Sequence, residues 1–445
     1  MRNQTPLYEA LQRHRQLGRS AFHTPGHSGK ELPFLEDLLL LDVTELPDTD
    51  SLYEANGAIL QAEQRAAKAM ATARTLFSAG GCTLCIQAML RLVSAKNRKR
   101  TILIDRVLHR SAVHAMALLD LQPIWILPRA DAGQGFPGRI YPCDVKFLLE
   151  QHADAAAVYI TSPDYFGVLS DICGIADVCK QYDVPLLVDN AHGAHLFLTG
   201  GEHPIHQGAA MTACSAHKTL PVLTGGAWLH IADETYAADA KDAMALFGST
   251  SPSYPVMASL DLCMQWAQVE GREAYECLKR RVDHIKTYAV EHGLVLPQGT
   301  TDPTRITLQT AALGLSGEQA AEVFRAHLVE PEYADSANLV LIATPFHTEH
   351  DFLRVEQAIA ALPKKEPLAV GDTLPLLPEA VLTVRQAVFS SWEEVPVNES
   401  VGRIAASAAC PCPPGVPVVM PGEMITEEIV RFLIHYRFLT VKVVK

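Results

Sequence analysis

From about residue 55 to 235, helically spaced apolar positions alternate with short continuous apolar runs. Ile59, Ala62, Ala66 and Ala69 recur at helical spacing with Gln64, Arg65 and Lys68 between them, which predicts a helix. The runs Thr101–Asp105, 156–160, Leu186–Asp189 and 211–215 are short and almost wholly apolar, as expected of strands covered on both faces. Strand, helix and strand in alternation imply crossover connections and a mainly parallel sheet.

Farther along, a helical stretch near 269–290 gives way to 304–310, where Ile306 and Leu308 alternate with polar neighbours. A helix over Gly317–Ala326 and a strand over 338–343 follow, so the pattern predicts a second, smaller α/β unit. Beyond Leu362, Pro363, Pro367, Pro375 and Pro378 mark a linker. The expected organisation is an arm (1–54), a large domain (55–275), a small α/β domain (276–362) and a C-terminal domain (363–445).

Composition narrows the function classes. The chain has 445 residues with 48% hydrophobic content, enough for large cores and too much for a mainly disordered chain. The uncharged run 404–422 carries five prolines and cannot be a spanning helix, and no apolar leader opens the sequence, so a cytoplasmic protein without membrane contact is expected. With 37 Lys+Arg against 50 Asp+Glu, the net charge of −13 argues against nucleic acid as a partner. Ten cysteines in so long a chain are expected to be reduced thiols. Cys82-Thr-Leu-Cys85 and Cys410-Pro-Cys412 lack the paired knuckle spacing of a zinc site, so no metal is expected.

In an open parallel sheet, ligands collect at the carboxyl ends of the strands, and the polar clusters fall there. Ser215-Ala216-His217-Lys218-Thr219-Leu220 follows one apolar run, and Asp189-Asn190-Ala191-His192 ends another. An amine that can form Schiff bases, a carboxylate and an imidazole are what pyridoxal 5'-phosphate requires: the lysine takes the aldehyde and the acid keeps the pyridine nitrogen protonated. Ala79-Gly80-Gly81-Cys82-Thr83 leads into the helical pattern 84–93 and offers backbone N–H groups to a phosphate. Its spacing matches neither a dinucleotide fingerprint nor a Walker loop.

The ordered set of motifs resembles the bacterial Orn/Lys/Arg decarboxylases, which have the fold-type-I (aspartate aminotransferase) architecture. The resemblance rests on Thr24-Pro-Gly-His27, Asp105-Arg106 with His109-Arg110-Ser111, Thr161-Ser-Pro163 with Tyr165 and Gly167, and Asp189 with Ala191-His192-Gly193-Ala194-His195. It continues through Ser215 with His217-Lys218-Thr219-Leu220-Pro221, Ser249-Thr-Ser-Pro-Ser-Tyr254, Met257-Ala-Ser-Leu-Asp261, Asp302-Pro-Thr304, Pro413-Pro-Gly415 and Pro421-Gly-Glu423. The wing domain of the long family members has no counterpart here, so the similarity is to the short forms.

The resemblance implies decarboxylation of ornithine, lysine or arginine to a polyamine-type amine by a homodimer with shared active sites. Lys218 would carry the cofactor and Asp189 pair with its ring nitrogen. His109 would stack on the ring, Ser215 with Gly81, Cys82 and Thr83 would hold the phosphate, and His192 and His217 would flank the reacting carbon. Thr250, in an uncharged Ser/Thr-rich loop, would reach the neighbour's phosphate. The cation of a basic substrate needs a carboxylate in a partly desolvated pocket; Glu423 and Asp164 are the expected partners, with Glu332 and Asp335 as alternatives. The alternatives are another fold-type-I activity (aminotransferase, aldolase or lyase) and a catalytically poor regulatory homologue; an aminotransferase would hold its substrate's carboxylate with an arginine from the small domain, for which Arg305 is the candidate.

Three positions depart from the family pattern. Cys82 stands where relatives carry Ser, Asp164 where they carry Thr, and Cys412 where they carry Tyr.

Overall fold

The computed structural model describes residues 16–28, 40–129, 135–136, 138–200, 203–370, 377–410 and 417–445. Residues 1–15 and 29–39 of the expected arm lie outside the described residues, as do Pro375, Cys412 and the Pro413-Pro-Gly415 turn.

At the centre is a seven-stranded sheet: β1 (Arg74–Ser78), β2 (Thr101–Asp105), β3 (Gln122–Ile126), β4 (Val158–Thr161), β5 (Leu186–Asp189), β6 (Met211–Cys214) and β7 (Ala227–Ile231). Their spatial order is β1-β7-β6-β5-β4-β2-β3. β7 runs antiparallel to both of its neighbours, while β6, β5, β4, β2 and β3 run parallel. Every residue of β5 and β6 is buried, which explains their almost wholly apolar sequences.

The central register sets Thr161 beside Asp189 and Asp189 beside Ala213, so the carboxyl ends of β4, β5 and β6 finish level. Three strands were not legible in the apolar pattern. β3 contains Pro123 and is mostly half-buried at the sheet edge, β7 carries a buried histidine, His230, and β1 begins and ends in polar residues.

Helices cover both faces. They include α1 (Ala58–Met70), α2 (Gly81–Asn97), α3 (Arg110–Leu119), α4 (Pro142–Gln151) and α5 (Ile172–Gln181). After the long helices α6 (Tyr254–Trp266) and α7 (Arg272–Glu291) comes an antiparallel sheet of β8 (Arg305–Gln309), β9 (Tyr333–Ala334) and β10 (Asn338–Ile342), ordered β9-β10-β8. Ser20–Phe22 of the arm pairs in parallel with Val329–Pro331, stitching the chain's beginning to this region. The C-terminal segment pairs β11 (Trp392–Pro396) with β12 (Thr440–Val444) and packs Glu427–His435 over its own apolar cluster.

Candidate active site

A cavity of about 340 Å³ opens at the carboxyl ends of β4, β5 and β6, within the size range of small-molecule sites. Gly81, Cys82, Thr83, His109, Asp189, His192, Ser215, His217, Lys218 and Glu332 line it, so nine residues expected at the cofactor meet in one place together with one alternative substrate carboxylate.

Each arrives from a defined element. Lys218 sits on the short helical turn Ala216–Thr219 that follows β6. The arm crosses this turn so closely that Gly26 N–H donates to His217 O at 2.7 Å, and a Cβ on Gly26 would come within 2.6 Å of Leu220 O.

Asp189 ends β5 with one carboxylate oxygen accepting from Ala191 N–H and the other from Tyr159 O–H, both at 3.1 Å. Burial pushes its pKa up, while the Lys218 charge and these donors pull it down. Tyr159 went unnoticed in the sequence, although a tyrosine in an otherwise apolar strand, two residues before the strand end, needs a partner for its hydroxyl.

α2 begins at Gly81 with no side chain capping its N-terminus, and Gly81 has φ +68° with open space where a Cβ would lie. Gly81 N–H donates to Gly225 O at 2.8 Å, and the next N–H groups of the first turn, which have no partner earlier in the helix, form a cradle for an anion. Burial holds the Cys82 thiol far above its usual pKa, with Asp189 adding to the effect, so Cys82 is a neutral S–H group beside Ser215.

The histidines are all held below their ordinary range, with burial the largest cause. His109 caps α3 and accepts at Nδ1 from Ser111 N–H (3.2 Å), and its ring is open to the cavity. His217 Nδ1 donates to Gly226 O at 2.9 Å, so the neutral ring presents a bare Nε2. His192 Nε2 lies 2.9 Å from Lys218 Nζ.

Both expected substrate carboxylates require correction. Glu423 is 2% exposed and forms a two-pronged ion pair with Arg106, at 2.6 and 2.9 Å; its Oε2 also accepts from Met420 N–H. A buried guanidinium must be neutralised where it lies, and this pair leaves Glu423 no charge to offer a substrate. Asp164 is buried in a separate small cavity with Asp105, Arg139 and Ser170, and its Oδ1 accepts from Val168 N–H. Asp335 caps the turn before β10 through Ala337 and Asn338 N–H.

Of the four candidate substrate carboxylates, the one that lines the cavity is Glu332, just before β9, which accepts from Tyr165 O–H (2.7 Å) and Thr24 N–H (2.8 Å). Thr250 is exposed and does not line this chain's cavity. Arg305 on β8 is buried behind the wall, donating to Tyr165 O and facing His192, and it does not line the cavity either.

Beneath Asp189, buried His203, Cys214 and His230 bring possible metal-ligand atoms within 4.8 Å of one another. The Asn190 Nδ2 amide stands 3.0 Å from His203 Nε2 and 3.3 Å from Cys214 Sγ, so a hydrogen-bond donor occupies the gap.

The family profile described as Orn/Lys/Arg decarboxylase, major domain, matches residues 5–296, and the C-terminal domain profile matches 375–441. An uncharacterized protein of Bacillus subtilis, YaaO, is 32% identical over 96% of this chain and 93% of its own length. Arginine decarboxylase of the same organism is 31% identical over 97% of this chain and 93% of its own. Among solved structures, the Escherichia coli constitutive lysine decarboxylase superposes with a TM-score of 0.74 at 19% identity, covering 92% of this chain and 76% of that one. This likeness places the chain in the same fold.

Proposed function

Because the chain belongs to the Orn/Lys/Arg decarboxylase family, we propose that it removes the carboxylate of ornithine, lysine or arginine as CO2, with pyridoxal 5'-phosphate as cofactor. The observation that carries this reading is the convergence of Lys218, Asp189 and the uncapped start of α2 on one cavity. These residues fit the cofactor: Lys218 would bind its aldehyde, Asp189 its ring nitrogen, His109 its ring face, and Gly81, Cys82, Thr83 and Ser215 its phosphate. When bound, it supplies a protonated ring able to accept the electron pair left on Cα as CO2 departs.

The chain's own groups do the rest. Asp189, fixed by Tyr159 and Ala191, holds positive charge at the cavity's deep end. Glu332 binds the substrate's distal cation: its two hydrogen-bond partners among the described residues are neutral donors, and it forms no ion pair with them. A proton must return to Cα. Neutral His217 keeps its own proton on Nδ1, turned to Gly226 O, so Lys218 Nζ, once it has taken up a proton, is the better donor.

Arg305 counts against an aminotransferase. Its guanidinium is engaged behind the wall and does not line the cavity that would receive the substrate's carboxylate.

The same reading includes a cytoplasmic homodimer, with Thr250 of the exposed Ser/Thr loop serving the neighbouring site, a polyamine-type product, and domain boundaries at 54/55, 275/276 and 362/363. Among the described residues no helix is long and apolar enough to cross a membrane.

The test is twofold. Protein loaded with pyridoxal phosphate should show a visible absorption band that Lys218→Ala lacks, and one of the three basic amino acids should release CO2. An unchanged band in Lys218→Ala, or release from none of the three, overturns the reading.

A further inference from the structure

His192 is held between two nitrogen donors, and their order fixes where its proton lies. On one side, Arg305 Nη2 stands 3.4 Å from Nδ1; on the other, Lys218 Nζ stands 2.9 Å from Nε2. A guanidinium donates and never accepts, so Nδ1 facing it must carry the lone pair. A neutral imidazole then has its hydrogen on Nε2, and that hydrogen points at Lys218, whose nitrogen must accept it. An ammonium has no lone pair with which to accept. The opposite arrangement, Lys218 donating to Nε2, would put an N–H on Nδ1 directly against the Arg305 donor.

We propose that Arg305 is a positioning residue that fixes His192 in its Nε2–H form and thereby keeps Lys218 Nζ as the free-base amine, the form able to react with a carbonyl.

The surroundings of Arg305 make it a dependable donor. It is 2% exposed on β8, its Nη1 donates to Tyr165 O at 3.0 Å, and Asp302 lies 3.9 Å away. Asp302 Oδ1 in turn binds His195 Nε2 (3.0 Å) and Thr304 N–H (2.8 Å), so the carboxylate is held in place beside the guanidinium without a hydrogen bond to it. Gly167, at φ +85°, is what lets it lie flat against the Tyr165 turn: a Cβ there would come within 2.7 Å of Arg305 Cγ.

The charged groups around the pair agree with the assignment. Burial, the largest cause, and the nearby Arg305 guanidinium disfavour a protonated His192. Burial also disfavours the Lys218 ammonium and Arg305 adds to this, against the opposing pull of Asp189 and Glu332. The consequence for catalysis rests on Lys218 being the cofactor's anchor; the tautomer does not.

The experiment uses full-length protein without cofactor. Nitrogen-15 NMR of histidine-labelled protein, with His192→Asn to identify the resonance, should show His192 protonated on Nε2; protonation on Nδ1 overturns the proposal without any Arg305 variant. Trace acetylation of Lys218 by acetic anhydride, read by peptide mass spectrometry against pH, reports its free-base fraction. Arg305→Met should lower the Lys218 rate at pH 7 by about tenfold, equivalent to a rise of about one pKa unit. In a His192→Asn background the same change should move that rate less than twofold. A tenfold loss that persists in that background means that Arg305 acts by charge alone and overturns the positioning role. Borohydride trapping of pyridoxal phosphate on Lys218 tests the functional reading separately.

Discussion

The sheet-edge wall of the cavity and the side that closes over it handle charge in different ways. At the edge, Lys218, Asp189 and three histidines lie within one buried network whose members restrain one another's protonation. On the closing side, two carboxylates that look interchangeable in sequence have opposite fates. Glu423 is cancelled by Arg106, whose guanidinium also lies over the Trp125 ring at 4.8 Å. Glu332 accepts, among the described residues, from a phenol and a backbone amide and forms no ion pair there, which leaves it open to a cationic ligand. A carboxylate's role is set by whether a cation already neutralises it, which residue type and neighbouring motif do not reveal.

The largest expected effect lies on the sheet-edge wall. Asp189→Ala should retain bound cofactor by absorbance and lose at least three powers of ten in turnover, about 4 kcal/mol of transition-state stabilisation. Turnover within threefold of the parent would remove the distinction between a chemical wall and a recognition wall.

Next comes the cancelled carboxylate. Glu423→Gln leaves the Arg106 cation buried without its counter-charge, and breaking such a pair from one side costs about 3–5 kcal/mol. Urea unfolding should register that loss, while KM for the substrate at a permissive temperature stays within twofold. Replacing both partners with Met should recover much of the stability, because no unpaired charge remains. A raised KM with unchanged stability would reverse the roles given to Glu423 and Glu332.

Glu332→Gln should show the complementary pattern. KM should rise ten- to a hundredfold, about 1.4–2.8 kcal/mol of lost binding, with kcat within threefold and the unfolding midpoint unchanged. Tyr165 can still donate to the Gln carbonyl, so the hairpin should hold its shape. Parental kinetics with every basic amino acid would exclude Glu332 as the recognising group.

What was legible in the sequence follows the same division. Lys218, Asp189 and the Gly80-Gly81 turn could be read because strand ends and helix starts are local features, and the apolar runs before them are covered on both faces. Glu423 and Glu332 could not be ranked, since their partners Arg106, Tyr165 and Thr24 are set by tertiary packing, in two cases across more than 300 residues, while the local turn that ties Asp164 to Val168 does not show that Asp164 is buried away from the cavity. Arg305 was legible as a basic residue of the small unit, but not as a donor to His192, because that contact joins two sheets.

The last effect concerns the other displaced carboxylate and sharpens the comparison through pH. Burial is the main reason the Asp164 carboxyl is pushed up to about 7, only partly offset by Val168 N–H and the Arg305 charge. In the unfolded chain an aspartate titrates near 3.9. Between about pH 4 and 7 the folded state therefore holds a proton that the unfolded state has released, and stability falls as pH rises through that window, levelling off above it. Asp164→Asn removes the linkage and keeps an oxygen for Val168 N–H. Its thermal midpoint should exceed the parent's by several degrees at pH 8, and the gap should close as pH is lowered toward 4. A gap that is constant with pH would mean that Asp164 is already ionised in the fold, and the contrast with Glu332 would then lie only in what each carboxylate faces.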